Sequence, residues 1–251
     1  MYVDESMEVF IARLVPAVER AAWRGAPEAE IAEVEGLAGR PLPEFYRWFI
    51  ATMGGSYPHA VHGYTRQDLR VATVIDAYRH GLVEPDLRFL LIGRIYDPAM
   101  PELLFYDLDT PVRKDAMVLT RSEFGLTMRR GFETLREKLA WGMLRRYGIT
   151  PCSQRCEGSF RREGASVKIL LDPVMSSFGF TCPIETGSYC ALYERDDAAM
   201  ACLEIVEDSQ DNLLFFQFGG RSPMELRTIL AELATTSIDV QTDRWHPPLP
   251  T

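Results

Sequence analysis

Apolar positions near the start of the chain recur with the three-and-four spacing of amphipathic helices. The first such stripe runs from Asp4 as N-cap through Met7, Phe10, Ile11, Leu14, Val15 and Val18, and Gly25 ends it. The second opens at Pro27, whose missing N–H would have no partner in a first helical turn, and Glu28 and Glu30 complement the positive helix start. Ile31, Val34 and Leu37 form its inner face, and Gly39 supplies a left-handed stop. In "RPLPEFYRWF" Pro41 holds the connection extended and Pro43 starts a third helix with Leu42, Phe45, Tyr46, Phe49, Ile50 and Met53 on one side. Gly54-Gly55 then breaks the chain into a loop. A fourth helix is predicted over 66–80, with Val71, Ile75 and Tyr78 inward and Gly81 as its stop. Three apolar runs of strand length follow at 88–93, 102–108 and 116–120, and a helix over 132–146 carries Phe132, Leu135, Leu139 and Met143 on one side and arginines on the other.

Beyond Gly148 and Pro151 the period changes to two. "GSYCALYERDDAAMACLEIVED" reads as two strands around a turn at Asp196-Asp197, with Ala201, Leu203 and Ile205 facing one way and Cys202 and Glu204 the other. "NLLFFQFGG" (212–220) is apolar on both faces, which predicts a central strand. Ser222-Pro223-Met224-Glu225 is a capping box that opens a helix through Leu226, Ile229, Leu230 and Leu233. The tail "RWHPPLPT" (244–251) is proline-rich and reads as loosely held. No internal repeat is evident. The expected organisation is a domain over 1–148 and a strand-rich α+β domain or extension over 149–251.

Composition narrows the class. The 251 residues are 47% hydrophobic and 25% charged, as in soluble globular proteins, and no apolar run approaches the length of a membrane span. The start "MYVDESMEVF" has acidic residues where a secretory leader needs basic ones, and five cysteines without paired spacing fit a reducing cytoplasm. Residues 1–150 hold 19 Lys and Arg against 21 Asp and Glu, whereas 151–251 hold 8 against 15, so the negative charge concentrates in the second part. That field disfavours nucleic acid and anionic membranes and favours a basic protein partner.

The succession of "IAEVEGLAG", "LPEFYRWFIATMGG", a helix, "FLLIG", "LLFYDLDT" and "FETLREKLA" resembles the SUKH superfamily, which includes fungal cell-wall synthesis regulators and bacterial toxin-immunity proteins. Leu42, Pro43 and Tyr46 match its leucine-proline-x-x-tyrosine segment, and Gly54 and Gly55 match the glycine turn after it; Met53 stands where many members carry asparagine. The resemblance spans roughly residues 20–141. It implies an α+β fold with helices packed on a mixed, mainly antiparallel sheet, and nothing in it extends to residues 150–251, where the pattern itself predicts a β-rich C-terminal region with a terminal helix. It further implies a protein that is not an enzyme and needs no cofactor or metal. Such a protein works in the cytoplasm by binding a cognate toxin domain, and a basic nuclease suits the acidic part of this chain.

Chemistry-bearing candidates are few. "LLFYDLDT" ends an apolar strand in Asp107-x-Asp109, like the nucleophile strand of haloacid-dehalogenase-type phosphatases, but Pro111 replaces the threonine or valine those enzymes need. A hydrolase built on this pair or on a bound metal is the alternative reading, and a regulatory scaffold a third. Cys152 and Cys156, and Cys182 and Cys190, lack zinc-ribbon spacing, and His59 and His62 have no third ligand nearby. The acidic residues Glu185, Glu194, Asp196, Asp197, Glu207, Asp208 and Asp211, with Asp107 and Asp109, are the candidate partner-binding set.

Overall fold

A computed structural model describes residues 6–56, 66–97, 99–163, 166–204 and 211–248. The fold is α+β with two five-stranded antiparallel sheets. The chain divides into two compact units, Pro16–Leu139 and Met1–Val15 with Ala140–Thr251. The division thus falls inside a helix rather than at residue 148, and residues 6–15 join the C-terminal part.

The stripe expected from residue 4 to 25 is two helices, α1 (Met7–Leu14, capped by Ser6) and α2 (Ala17–Arg20). Pro16 is the cause: it forces Val15 into extended backbone, and Val18 is left exposed. The first unit continues with α3 (Glu28–Ala38), ended by Gly39 at φ 63°, and α4 (Glu44–Met53). Next come β1 (Arg66–Asp68), α5 (Val71–Arg79), β2 (Phe89–Tyr96), β3 (Glu102–Val112), β4 (Asp115–Ser122) and β5 (Met128–Phe132). Residues 66–68 were expected to be helical. They pair instead with β2, and the Asp68 carboxylate takes the Arg70 N–H and the Thr73 hydroxyl, so that α5 starts only at Val71.

The strands follow one another in the order β1-β2-β3-β4-β5, a meander with antiparallel neighbours, and α3, α4 and α5 pack on it. A bulge at Leu91–Gly93 takes the Leu91 N–H out of the ladder, and the Tyr78 hydroxyl accepts it at 2.9 Å. Gly54 lies at φ −70° and has no left-handed role. The glycine pair allows close approach instead: a Cβ on Gly55 would meet the Gly25 carbonyl oxygen at 2.5 Å, where Ser56 bridges to Arg24.

The helix expected over 132–146 is α6 (Leu135–Met143), continued by a single-turn π-helix, Leu144–Ile149. Phe132 belongs to β5, and Thr134 with Glu137 forms the helix start, each side chain accepting a backbone N–H. Arg145, expected among solvent-facing arginines, is buried: its guanidinium lies 4.2 Å from the Trp141 ring centre and donates to Gln217.

The second unit holds α1, the π-helix, β6 (Gln154–Glu163), α7 (Lys168–Ser177), β7 (Cys190–Arg195), β8 (Ala198–Glu204), β9 (Asp211–Gly220), α8 (Pro223–Thr235) and β10 (Asp239–His246). Its sheet order, β10-β6-β9-β8-β7, makes β9 central as its two apolar faces require. α7 and α8 bring Leu171, Met175, Leu226, Ile229 and Leu233 into one core with Phe160, Met200, Phe216 and Phe218. Ala199 and Gly219 serve the opposite face, where they leave room for the π-helix: a Cβ on Gly148 would stand 3.6 Å from Ala199, and one on Gly219 3.0 Å from the Ile149 carbonyl oxygen. Cys202 therefore points into the main core while Ala201 is buried on the other side. Ser222 caps α8 by accepting the Glu225 N–H. The chain does not end on this helix or, at 244–246, in a loose tail, because β10 pairs with β6 and sets Trp245 against the core.

Candidate functional site

Asp107 and Asp109 stand at the β3–β4 hairpin of the first unit, where the ladder slips between Asp107 and Pro111. Both Asp107 oxygens are engaged by Arg88, at 3.0 and 2.8 Å, and the same carboxylate accepts the Thr110 hydroxyl and the Asp109 N–H. The Arg88 guanidinium holds the Asp107 carboxyl below its ordinary range. A carboxylate so committed has no lone pair directed at a phosphoryl centre. Asp109, half-exposed, pairs with Arg40 at 3.0 Å.

Beside this hairpin Pro41, Leu42 and Pro43 border a hollow of about 250 Å³ that Arg113, Lys114 and Asp115 complete. The Phe45 N–H donates to the Lys114 carbonyl at 2.9 Å, so the leucine-proline segment is tied to the hairpin by backbone as well as by packing. Tyr46 is fully buried against Tyr106, ring edge to ring face at 5.2 Å. Asp115 lies buried beneath, accepting the Ala116 and Arg136 N–H groups at 2.9 and 3.0 Å, which joins the hairpin to the start of α6.

Burial pushes the Asp115 carboxyl up from 3.8 to about 6 despite these donors and the Tyr106 hydroxyl. A carboxyl that binds its proton more tightly when folded stabilises fully below its unfolded value and loses that contribution as pH rises through the folded one. Wild-type stability should therefore fall by on the order of 2 kcal/mol between about pH 4 and pH 7 through this group. The Asp115→Asn variant should lack that slope. Urea unfolding at several pH values checks it, and equal slopes in the two proteins would refute the assignment.

In the second unit a groove of about 770 Å³ runs beside the β7–β8 hairpin, with Arg13, Tyr147, Cys152, Glu194, Asp197 and Arg221 among its walls. Glu194, Asp196 and Asp197 of the acidic set all line this groove. Two of the three are compensated internally. Glu194 receives both terminal nitrogens of Arg13, at 3.0 and 2.5 Å, and Arg195 bridges Asp197, at 2.7 Å, and Glu225. Glu185 is exposed and does not line the groove, and Glu207 and Asp208 lie outside the described residues, as do His59 and His62.

None of the five cysteines is in a disulfide. Burial pushes Cys156 up to about 12 and Cys182 up to about 11, so these thiols stay protonated and are poor nucleophiles and metal ligands. Cys152 borders the groove, donates to the Gly148 carbonyl at 3.2 Å and is likewise raised by burial. Among the described residues no three His, Cys, Asp or Glu side chains cluster as a metal site, and no helix is long and apolar enough to cross a membrane. One buried lysine is fully used: Lys168 Nζ donates to the Thr186 carbonyl and hydroxyl and to the Gly187 carbonyl, at 2.7 to 2.9 Å.

The feature that sequence reasoning missed lies at one end of the first sheet. Phe124 and Leu126, in the β4–β5 turn, are 87% and 91% exposed, and beside them Met100 is 59% and Tyr96 40% exposed. The two turns adjoin, since the Glu123 N–H donates to the Pro101 carbonyl at 2.9 Å. Each is fixed from within. Ser122 takes the Phe124 N–H on its hydroxyl and the Gly125 N–H on its carbonyl, and Asp97 accepts the Ala99 and Met100 N–H groups. Only the apolar letters of "SEFGLTM" signal this in sequence, and they carry no period.

Compared with family profiles, with curated proteins and with solved structures, the chain finds no match in any of the three.

Proposed function

We propose that this chain is a non-catalytic protein-binding module of the immunity type, which neutralises a cognate toxin domain by covering it in the cytoplasm. The observation that carries the reading is a contrast in how side chains are used. Asp107, Asp109, Glu194 and Asp197 are each engaged by an arginine, whereas Phe124 and Leu126 stand out in water on the β4–β5 turn. Reactive groups are committed to structure, and the side chains left over are those that gain by meeting another surface. Support also comes from α3, α4, α5, β2, β3 and α6, which follow one another in the order of the segments on which the superfamily resemblance rests, although β1, β4 and β5 stand between them. Thiols kept protonated by burial suit a reducing compartment.

The test is co-expression with candidate toxin domains encoded by adjoining genes. A stable complex with one of them and protection of the host from it are expected. Purified chain that binds none of them and gives no protection, or that hydrolyses a phosphomonoester with Mg²⁺ and loses this on Asp107→Asn, would refute the proposal.

A further inference from the structure

We infer that the second unit holds a site for one small oxyanion, a phosphate or a carboxylate, in the pocket that β6, β9 and β10 form with the end of the π-helix. The inference goes beyond the protein-binding reading and stands apart from it. The pocket measures about 200 Å³, and Thr150, Arg155, Glu157, Gln217, Arg244 and His246 are among its walls. Drug-sized sites begin at about 300 Å³, so this one suits a single charged group and not a nucleotide. Thr150 closes the π-helix, a kind of turn that recurs at functional sites.

Arg155 carries the argument. Of its three nitrogens only Nη1 has an acceptor among the described residues, the Thr150 carbonyl at 2.6 Å. Nε is buried without one, and no carboxylate pairs with the guanidinium. A buried donor left without a partner in a folded protein points to a water or an ion at that place. The neighbouring polar groups are already committed to one another. Gln217 accepts from Arg145 and donates to Glu157 at 3.2 Å, and Glu157 faces Arg244 at 3.4 Å.

Charge selects the ligand. The walls carry two arginines against one carboxylate, and that carboxylate is shared by Arg244 and Gln217. Asp243, beside Arg244 in sequence, does not border the pocket and accepts from Gln241 at 2.8 Å. The pocket is thus a basic spot in a part of the chain, 151–251, that holds 8 Lys and Arg against 15 Asp and Glu. A cation would meet both guanidinium groups, and among the described residues no three His, Cys, Asp or Glu side chains cluster as a metal site. A water satisfies Nε but leaves the charge of Arg155 unmet. An oxyanion offsets the charge and accepts from the fork, and the His246 ring offers a further N–H in either tautomer.

Calorimetric titration of the full chain with sodium phosphate and, separately, with sodium acetate, at an ionic strength held constant with chloride, tests this. One saturable site is expected, and the anion that binds more tightly identifies the source. Arg155→Gln should weaken binding about tenfold. Because Arg155 also holds the Thr150 carbonyl, two further variants carry the test without it. Arg244→Gln, at a side chain 65% exposed, should weaken binding roughly two- to fivefold, and Glu157→Gln, which removes the one carboxylate, should tighten it by a similar factor. No saturable binding of either anion, or binding that none of the three variants alters, overturns the site. Binding that Glu157→Gln weakens overturns the ligand class. Each of these failures leaves the protein-binding reading untouched.

Discussion

Tyr46→Ala is expected to destabilise the first unit by about 3–5 kcal/mol, whereas Tyr46→Phe should leave it unchanged or more stable. Tyr46 is wholly buried in α4, its ring edge-on to Tyr106 and nearly parallel to Phe49 at 6.3 Å. Truncation to alanine removes those contacts and leaves a cavity that helices fixed on a sheet cannot close. The hydroxyl is another matter. Its oxygen has no hydrogen-bond partner among the described residues, and burial pushes the phenol far above its ordinary range, so it stays protonated. Phenylalanine keeps the ring and removes a buried polar atom whose desolvation costs about 1–3 kcal/mol when unpaired. Urea unfolding of the two variants separates ring from hydroxyl. Equal destabilisation by phenylalanine and alanine would mean that the hydroxyl is bonded and that the leucine-proline-x-x-tyrosine segment is kept for a polar contact.

The same segment marks what could be read from sequence. Where local chemistry decides alone, the reading and the structure agree: Gly39 takes a left-handed stop, Ser222 caps α8, the hairpin turns at Asp196-Asp197, and the doubly apolar run of β9 lies at the centre of its sheet. Where tertiary partners decide, the reading fails. β5 carries Arg129 and Arg130 and no apolar alternation, so it is legible only as the strand that β4 recruits. α7 contains Pro173, and its first residue is a buried lysine whose partners are eighteen or nineteen positions further on. Pro16 was a stop signal in plain view, overridden by the apolar stripe around it. Of the candidate site, sequence could locate the carboxylates but not the arginines that engage them. Arg40 is 69 residues from Asp109 and Arg13 is 181 from Glu194.

Gly158→Val should detach β10 and destabilise the second unit by about 3 kcal/mol or more, although glycine in a strand is ordinarily a weak point. Gly158 lies in β6 opposite Thr242, beside the place where β10 bulges between Thr242 and Arg244. The bulge brings the Gln241 carbonyl over the glycine, so that a Cβ there would meet its oxygen at 2.0 Å and the Thr242 Cα at 2.9 Å. Both are backbone atoms of a paired strand, and neither can yield without breaking the ladder. Losing the ladder uncovers Val240 and Trp245 on the core and opens the pairing of Arg244 with Glu157. Alanine already carries the offending carbon, so Gly158→Ala should be nearly as harmful as valine, contrary to its usual benefit in a chain. Limited proteolysis reads the result directly: wild-type residues 239–246 should resist cleavage until the second unit unfolds, and in either variant they should be cut first. A Gly158→Ala protein that melts and resists like the wild type would mean that β10 rests loosely on β6, as the prolines that follow it lead one to expect.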